Sequence, residues 1–237
     1  MNTLERQRAL YRLGFDVGGC DGIDGPKTAD ATQAFMNDPR FEQTAWNTVI
    51  LDETIAKALE ALPPFIEAKN YTRIGNRSKV DLIVIHTMEA PEKPKTARNV
   101  ATWFAGPSAP QASAHYCVDD AEIIQCVLEC DIAWHAPGAN GNGIGIEHAG
   151  YASQTPEQWD DDYSKAALAN SAKLVAALCR RFNIPIVKLS VAELAAGGAR
   201  GLVGHVDVTN AFNGGRGHVD PGPSFPYDRY LDLVRAA

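Results

Sequence analysis

Val80-Asp81-Leu82-Ile83-Val84-Ile85, running on into His86-Thr87, decides the fold. A β-branched run of this kind reads as a buried central strand. Outward from it, Thr96 to Phe104 reads as a helix with Val100, Trp103 and Phe104 on its buried face. His115 to Val118 and Ile123 to Val127 read as paired short strands turning at Asp119-Asp120, and Ile144-Gly145-Ile146-Glu147 as another strand. A long helix through about Phe182 is expected to open at Thr155-Pro156-Glu157, with Thr155 as N-cap and Pro156 in the first position. Ala167, Leu174, Ala177 and Leu178 mark one face of it, and Phe225 to Val234 closes the chain as a last helix. Strands interleaved with helices, some of them hairpin neighbours, indicate an α/β fold with a mixed central sheet flanked by helices.

Upstream, residues 1–62 read as a small three-helix unit. Leu4, Leu10, Leu13 and Phe15 stripe the first helix and its exit. A Gly/Asp-rich turn, Gly18 to Pro26, feeds a second helix from Lys27 to Met36 with Ala31, Ala34 and Phe35 facing inward. The third runs roughly from Thr44 to Leu62 and carries Trp46, Val49, Ile50 and Ile55 at helical spacing, until Pro63-Pro64 stops it. Residues 63–77 read as a linker, and 78–237 as the second unit. An EF-hand reading of the glycine-rich turn fails, because the acidic ligand series and closing Glu are missing.

At 237 residues and 45% apolar content, the chain can bury one good core plus a small module. A net charge of -7 argues against non-specific nucleic-acid binding or docking on an anionic membrane. No stretch approaches the roughly 18 apolar residues of a membrane span. Met1 to Leu13 is charged and lacks the apolar segment of a secretory signal, so the chain is expected to be made and kept in the cytoplasm unless something releases it. The five cysteines are odd in number and scattered, which fits reduced thiols better than a disulfide framework. Cys126 and Cys130 lack the second Cys or His pair that a zinc finger needs.

His86, His205 and Asp220 are the candidate metal ligands. Two imidazoles and a carboxylate leave the fourth corner of a zinc tetrahedron open, as in a catalytic site. Taken singly each has an ordinary alternative: hydrogen-bonded histidines at strand or loop edges for the first two, an Asx turn before Pro221-Gly222-Pro223 for Asp220. Glu147 alternates with Ile144 and Ile146 on its strand, so it points the other way. It is either a solvated strand-edge carboxylate or a base that moves the proton of a metal-activated water. His218, two residues before Asp220, projects to the same side in an extended segment and could donate to a forming oxyanion, or be a surface-loop histidine. Trp134-His135-Ala136 and Asn140-Gly141-Asn142-Gly143 read equally as a ligand wall, with Trp134, His135 and Asn142 as contacts, or as a packed loop.

These segments together resemble a known family. Ile85-His86-Thr87, Ser113-Ala114-His115-Tyr116, Ala133-Trp134-His135-Ala136, Gly145-Ile146-Glu147, Gly204-His205-Val206-Asp207-Val208 and Asp220 through Tyr227 occur in the order of the zinc-dependent N-acetylmuramoyl-L-alanine amidases that share their fold with peptidoglycan recognition proteins. The resemblance implies a Zn2+ cofactor held by His86, His205 and Asp220, Glu147 as catalytic acid/base, and peptidoglycan as substrate. Some members carry Lys where His218 stands. Others have a catalytic Tyr near the position of Ala114, so that role is not assigned. The N-terminal unit resembles the three-helix peptidoglycan-binding domain, on Leu13-Gly14-Phe15, the Asp21-Gly22 to Lys27-Thr28 turn and Ala34-Phe35. The pairing implies a phage or prophage endolysin, monomeric, that reaches the wall after release. A non-catalytic recognition protein on the same fold would be expected to lose a ligand or the Glu. A thiol amidase using a cysteine with His115 or His135 would want its cysteine at a helix start after a glycine-rich turn, and none stands there.

Overall fold

The computed structural model describes residues 1–41, 43 and 45–237. The first helix, α1 (Thr3–Arg12), begins where Asn2 and Glu5 cap each other's backbone N–H groups. The second, α2 (Pro26–Met36), has Pro26 in its first turn after Gly25. The third, α3 (Thr48–Leu59), starts later than the apolar spacing suggests, because Asn47 Oδ1 accepts from the N–H groups of Val49 and Ile50. Thr44 lies outside the described residues. That start turns Val49 outward and puts Leu51 and Ile55 in the core, and on α2 Ala34 is exposed while Ala31 and Phe35 are buried.

Leu10, Phe35 and Ile55 centre a small core that also takes in Leu128 and Cys130 of the second unit. Arg12 reaches the same boundary, donating to Gln125 Oε1 at 2.9 Å and to the Pro63 carbonyl at 2.6 Å. Residues 63–77, expected as a linker, run along the second unit. Ile66 and Ala68 donate to the carbonyls of Gln125 and Cys126. A short strand, β1 (Tyr71–Thr72), pairs with another at Ile132–Ala133.

The β-branched run forms β2 (Leu82–Thr87), buried at every position. It is followed by α4 (Thr96–Ala105), β3 (Tyr116–Val118), β4 (Ile123–Gln125), β5 (Ile132–Ala133) and β6 (Gly143–His148). Then come the 21-residue α5 (Asp162–Phe182), α6 (Val191–Ala196), β7 (Gly201–Gly204), α7 (His205–Phe212) and α8 (Tyr227–Ala236). The sheet order is β4-β3-β6-β2-β7, antiparallel only between β3 and β4. A mixed sheet flanked by helices is thus the architecture.

Three local expectations are corrected. Helix α5 starts at Asp162, because Asp161 accepts from the Ser164 N–H, while Thr155 Oγ1 accepts only from the Gln158 N–H, where a 3-10 turn over Gln158–Asp160 begins. Its buried face runs through Ala167, Leu168, Val175 and Leu178, with Ala177 exposed. Trp103 on α4 is 50% exposed, since Ala97, Ala101 and Phe104 already fill the contact with the sheet.

Parity divides the strands. Ile83, Ile85, Ile144 and Ile146 share one core with α5 and α8. On the opposite face α4 covers the β3–β4 side, and α6 and α7 pack near Leu82, Val84 and Val203. Between those two coverings the carboxyl ends of β2 and β6 stay open, the place where α/β sheets present functional groups.

Candidate metal centre and active-site cleft

Parallel register sets His86 opposite Glu147 on adjacent strands, both on the open face. The next parallel strand, β7, delivers His205 as the first residue of α7. Asp207 Oδ2 fixes that helix start by accepting from the Gly204 N–H at 2.6 Å and from Lys188 Nζ at 2.7 Å. Asp220 arrives on the loop before α8, its carbonyl accepting from the Val206 N–H. Three segments distant in sequence therefore converge.

His86 Nδ1 lies 3.0 Å from Asp220 Oδ2, and His205 Nδ1 lies 3.2 Å from Asp220 Oδ1. The three donor atoms fall within 4.8 Å of one another, and all three residues are buried. Bond lengths of 2.0–2.1 Å to a tetrahedral ion imply donor separations of about 3.3 Å, so the spacing and the N,N,O donor set suit a metal such as zinc. Burial alone would raise the Asp220 carboxyl, but His205 and His86 hold it well below the usual carboxylate range. Burial pushes the His86 imidazole down, against the pull of Asp220, which favours the neutral, ligating form.

Glu147 stands beside this cluster with Oε2 buried and without a hydrogen-bond partner. Burial, and then the charge of Asp220, push its carboxyl well above the usual range. A carboxyl left unpaired there is poised to take and return a proton. His218 is the exposed member: its side chain is 69% exposed, its Nδ1 lies 3.6 Å from Asp220 Oδ1, and its ring stacks on His205 at 4.1 Å.

These residues border a cleft of about 460 Å³. Val100, Trp103, Phe104 and Met88 add apolar surface to its lining. Trp134 also borders it, half-buried, with its indole N–H donating to Thr72 Oγ1 at 2.9 Å. His135 reaches the cleft only with the edge of a buried ring, 7% exposed, whose Nδ1 lies 3.1 Å from His86 Nε2. Asn142 is not among the residues bordering the cleft. It sits at the amino end of β6, where its side chain donates to Asp81 Oδ2 and its carbonyl accepts from Asp81 and Leu82. Asn140 borders the cleft instead and shapes it, Oδ1 accepting from the N–H groups of His135 and Ala136.

The sequence reads Trp103 as core, and Asn140 as part of the wall stretch without naming it as a contact. Asn140, in a glycine-rich stretch, carried a turn signal. Trp103 carried none, because an indole on an amphipathic helix reads as core. All five cysteines are buried, and burial raises the Cys117 thiol well above its ordinary value. None of them borders the cleft, which removes the thiol-nucleophile alternative.

Comparison with known proteins agrees with this layout. Residues 76–223 match the family profile described as N-acetylmuramoyl-L-alanine amidase. The chain is similar to N-acetylmuramoyl-L-alanine amidase A of Achromobacter lyticus, 30% identical over 175 residues, covering 70% of this chain and 89% of that relative. It is also similar to N-acetylmuramoyl-L-alanine amidase CwlL of Bacillus licheniformis, 28% identical, covering 62% of this chain but only 39% of that relative. Among solved structures, a selenomethionine derivative of AmpD aligns with TM-score 0.52 at 23% identity, covering 73% of this chain and 95% of that one. The Staphylococcus aureus hydrolase AmiA, solved with its ligand, aligns with TM-score 0.52 at 19% identity, covering 82% and 91%. These structural likenesses speak to the mixed α/β fold.

Proposed function

We propose, from the premise that this chain belongs to the N-acetylmuramoyl-L-alanine amidase family, that it is a zinc-dependent hydrolase of peptidoglycan. The bond cut joins the lactyl group of N-acetylmuramic acid to the L-alanine of the stem peptide. The reading is carried by one observation: His86, His205 and Asp220 converge beside the unpartnered carboxyl of Glu147 in one cleft.

His86, His205 and Asp220 would hold the zinc, which when bound supplies Lewis acidity to the scissile carbonyl and to water. Glu147 accepts the proton that the attacking water loses and returns it to the leaving amine of L-alanine. Burial, and then the charge of Asp220, hold its carboxyl well above the usual carboxylate range, which helps it keep the proton between taking it and returning it. His218, at the open rim, donates to the oxyanion formed at the carbonyl. Trp134 and Trp103 offer flat apolar surfaces to the sugar and peptide across the cleft. The three N-terminal helices act as the wall-binding module, raising the local concentration of substrate by tethering. A hydrolase joined to such a module supports an endolysin-like role, a monomer acting on the wall after release from the cell that makes it.

The test is digestion of purified peptidoglycan with and without a chelator, assaying new amino termini and new reducing ends separately. Release of N-terminal alanine that stops on chelation and returns with zinc, without reducing ends, is the expected result. Activity that survives chelation, or appearance of reducing ends, would overturn the reading.

A further inference from the structure

On the reading of His86 as a zinc ligand, we infer that His135 is a positioning residue: its ring holds His86 in the tautomer that turns Nδ1 toward the ion. His86 has two ring nitrogens facing opposite partners. Nδ1 points to the converging ligands, 3.0 Å from Asp220 Oδ2. Nε2 points away from them and lies 3.1 Å from His135 Nδ1, with the two rings nearly perpendicular at 89°. A neutral imidazole carries one N–H, so a ligating Nδ1 requires the proton on Nε2. That proton needs an acceptor, and His135 Nδ1 stands where the acceptor must be.

Acceptance at Nδ1 places the proton of His135 on its own Nε2. Nε2 faces the Gly143 carbonyl at 3.3 Å. A backbone carbonyl thus selects the tautomer of His135, and His135 selects that of His86. The donors run in one direction, from His86 Nε2–H to His135 Nδ1 and from His135 Nε2–H to the carbonyl. Outer partners of this kind orient a ligating histidine and raise its basicity.

The chain also makes room for the ring. A Cβ on Gly145 would lie 2.6 Å from His135 Cγ and 2.8 Å from its Nδ1. On Gly143 it would lie 2.8 Å from the Ala139 carbonyl oxygen and 3.4 Å from His135 Cε1. In Gly143-Ile144-Gly145-Ile146-Glu147, therefore, the isoleucines fill the packed face and the glycines leave space for an imidazole on the open one. From behind, the His135 N–H is held by Asn140 Oδ1 at 2.9 Å.

The test is the zinc affinity of the full-length protein, read by competition with a chromophoric chelator. The unfolding temperature of each metal-free variant is recorded alongside. His135→Leu fills the space but cannot accept a hydrogen bond, and should lose about 10–100-fold in affinity. His135→Asn places Oδ1 close to the position of Nδ1 and should stay within a few-fold of the parent protein. Gly145→Ala keeps the acceptor but displaces its ring, and should fall between them. Equal affinities for the parent and His135→Leu, or an Asn variant as weak as a folded Leu variant, would reduce His135 to a space-filling role and overturn the inference. Should His135→Leu fail to fold, a Gly145→Ala variant binding as tightly as the parent overturns it instead. A parent protein that binds no zinc, or binds it no better than Asp220→Ala, sinks the ligand reading itself and this inference with it, a pattern distinct from the other two.

Discussion

The two faces of β2 and β6 differ more than the two ends of the chain. On one face Ile83, Ile85, Ile144 and Ile146 are fully buried in a single core with Leu168, Val175 and Tyr230. On the other, one residue away along the same strands, stand Gly143, Gly145, His86 and Glu147. The packed face gains roughly 1.5–3 kcal/mol for each large apolar side chain it buries. The open face bears a cost, because an unpartnered buried polar group such as Glu147 Oε2 loses about 1–3 kcal/mol of solvation. A two-residue period lets one strand serve both purposes, and the packed side secures what the open side strains.

Glu147→Gln should break this comparison most visibly. Turnover should drop by about 10²–10⁴-fold, the usual contribution of a general acid/base, while zinc is retained and the metal-free protein becomes no less stable. Steady-state kinetics with metal analysis checks it, and a fully active variant would take Glu147 out of the reaction. On the packed face, Ile146→Ala should cost about 2–5 kcal/mol in denaturant unfolding yet leave the folded fraction active below its transition. A loss of turnover without a loss of stability would blur the two faces.

His148 sharpens the division, because it lies on the packed side directly beneath His86. Its Nδ1 donates to the His86 carbonyl at 3.0 Å and its Nε2 accepts from Ser171 at 2.7 Å. Burial lowers its pKa from 6.5 to about 4, against the hydrogen bond to His86. As pH falls below 6.5 the unfolded chain binds a proton that the folded chain refuses until about pH 4. Stability is therefore complete above that window and lost through it, by at most about 3 kcal/mol. Unfolding curves for the metal-free parent and His148→Gln should converge as pH drops across it, and a pH-independent gap would dismiss the effect.

His218→Ala should show the smallest change. An imidazole 69% exposed is screened by solvent, so its loss should lower kcat by less than the ~10²–10³-fold that a water-excluded oxyanion donor supplies. A drop as large as that of Glu147→Gln would make His218 essential to the transition state.

Much of this is legible in the chain itself. Val80 to Ile85 reads as a buried central strand, and α4, β3, β4 and β6 follow their apolar periodicity to within a residue or two. Helix starts were less legible where two caps competed: Thr155-Pro156 carries a stronger local signal than Asp161, but the long helix begins where it can lie on the sheet. Facing was misjudged for Trp103, Val49, Ala34 and Ala177, all apolar at helical spacing and all exposed. Periodicity identifies a stripe, while contact with a neighbour decides its width. Gly201-Leu202-Val203-Gly204 was too short and glycine-flanked to declare the edge strand that carries His205.

By itself the sequence determined residue type and alternation: a strand ending near His86, a strand placing Glu147 opposite its isoleucines, and the short segments that carry His205 and Asp220. Tertiary structure alone decided which of these meet. Parallel register brought His86 level with Glu147, and the loop before α8 brought Asp220 between two imidazoles. It also set His135 against the back of His86 while leaving it at the border of the cleft, and placed Asn142 at the far end of its strand. Such placements depend on strand order and loop closure across more than a hundred residues, as in the 134 that separate His86 from Asp220. No local pattern encodes a distance of that kind.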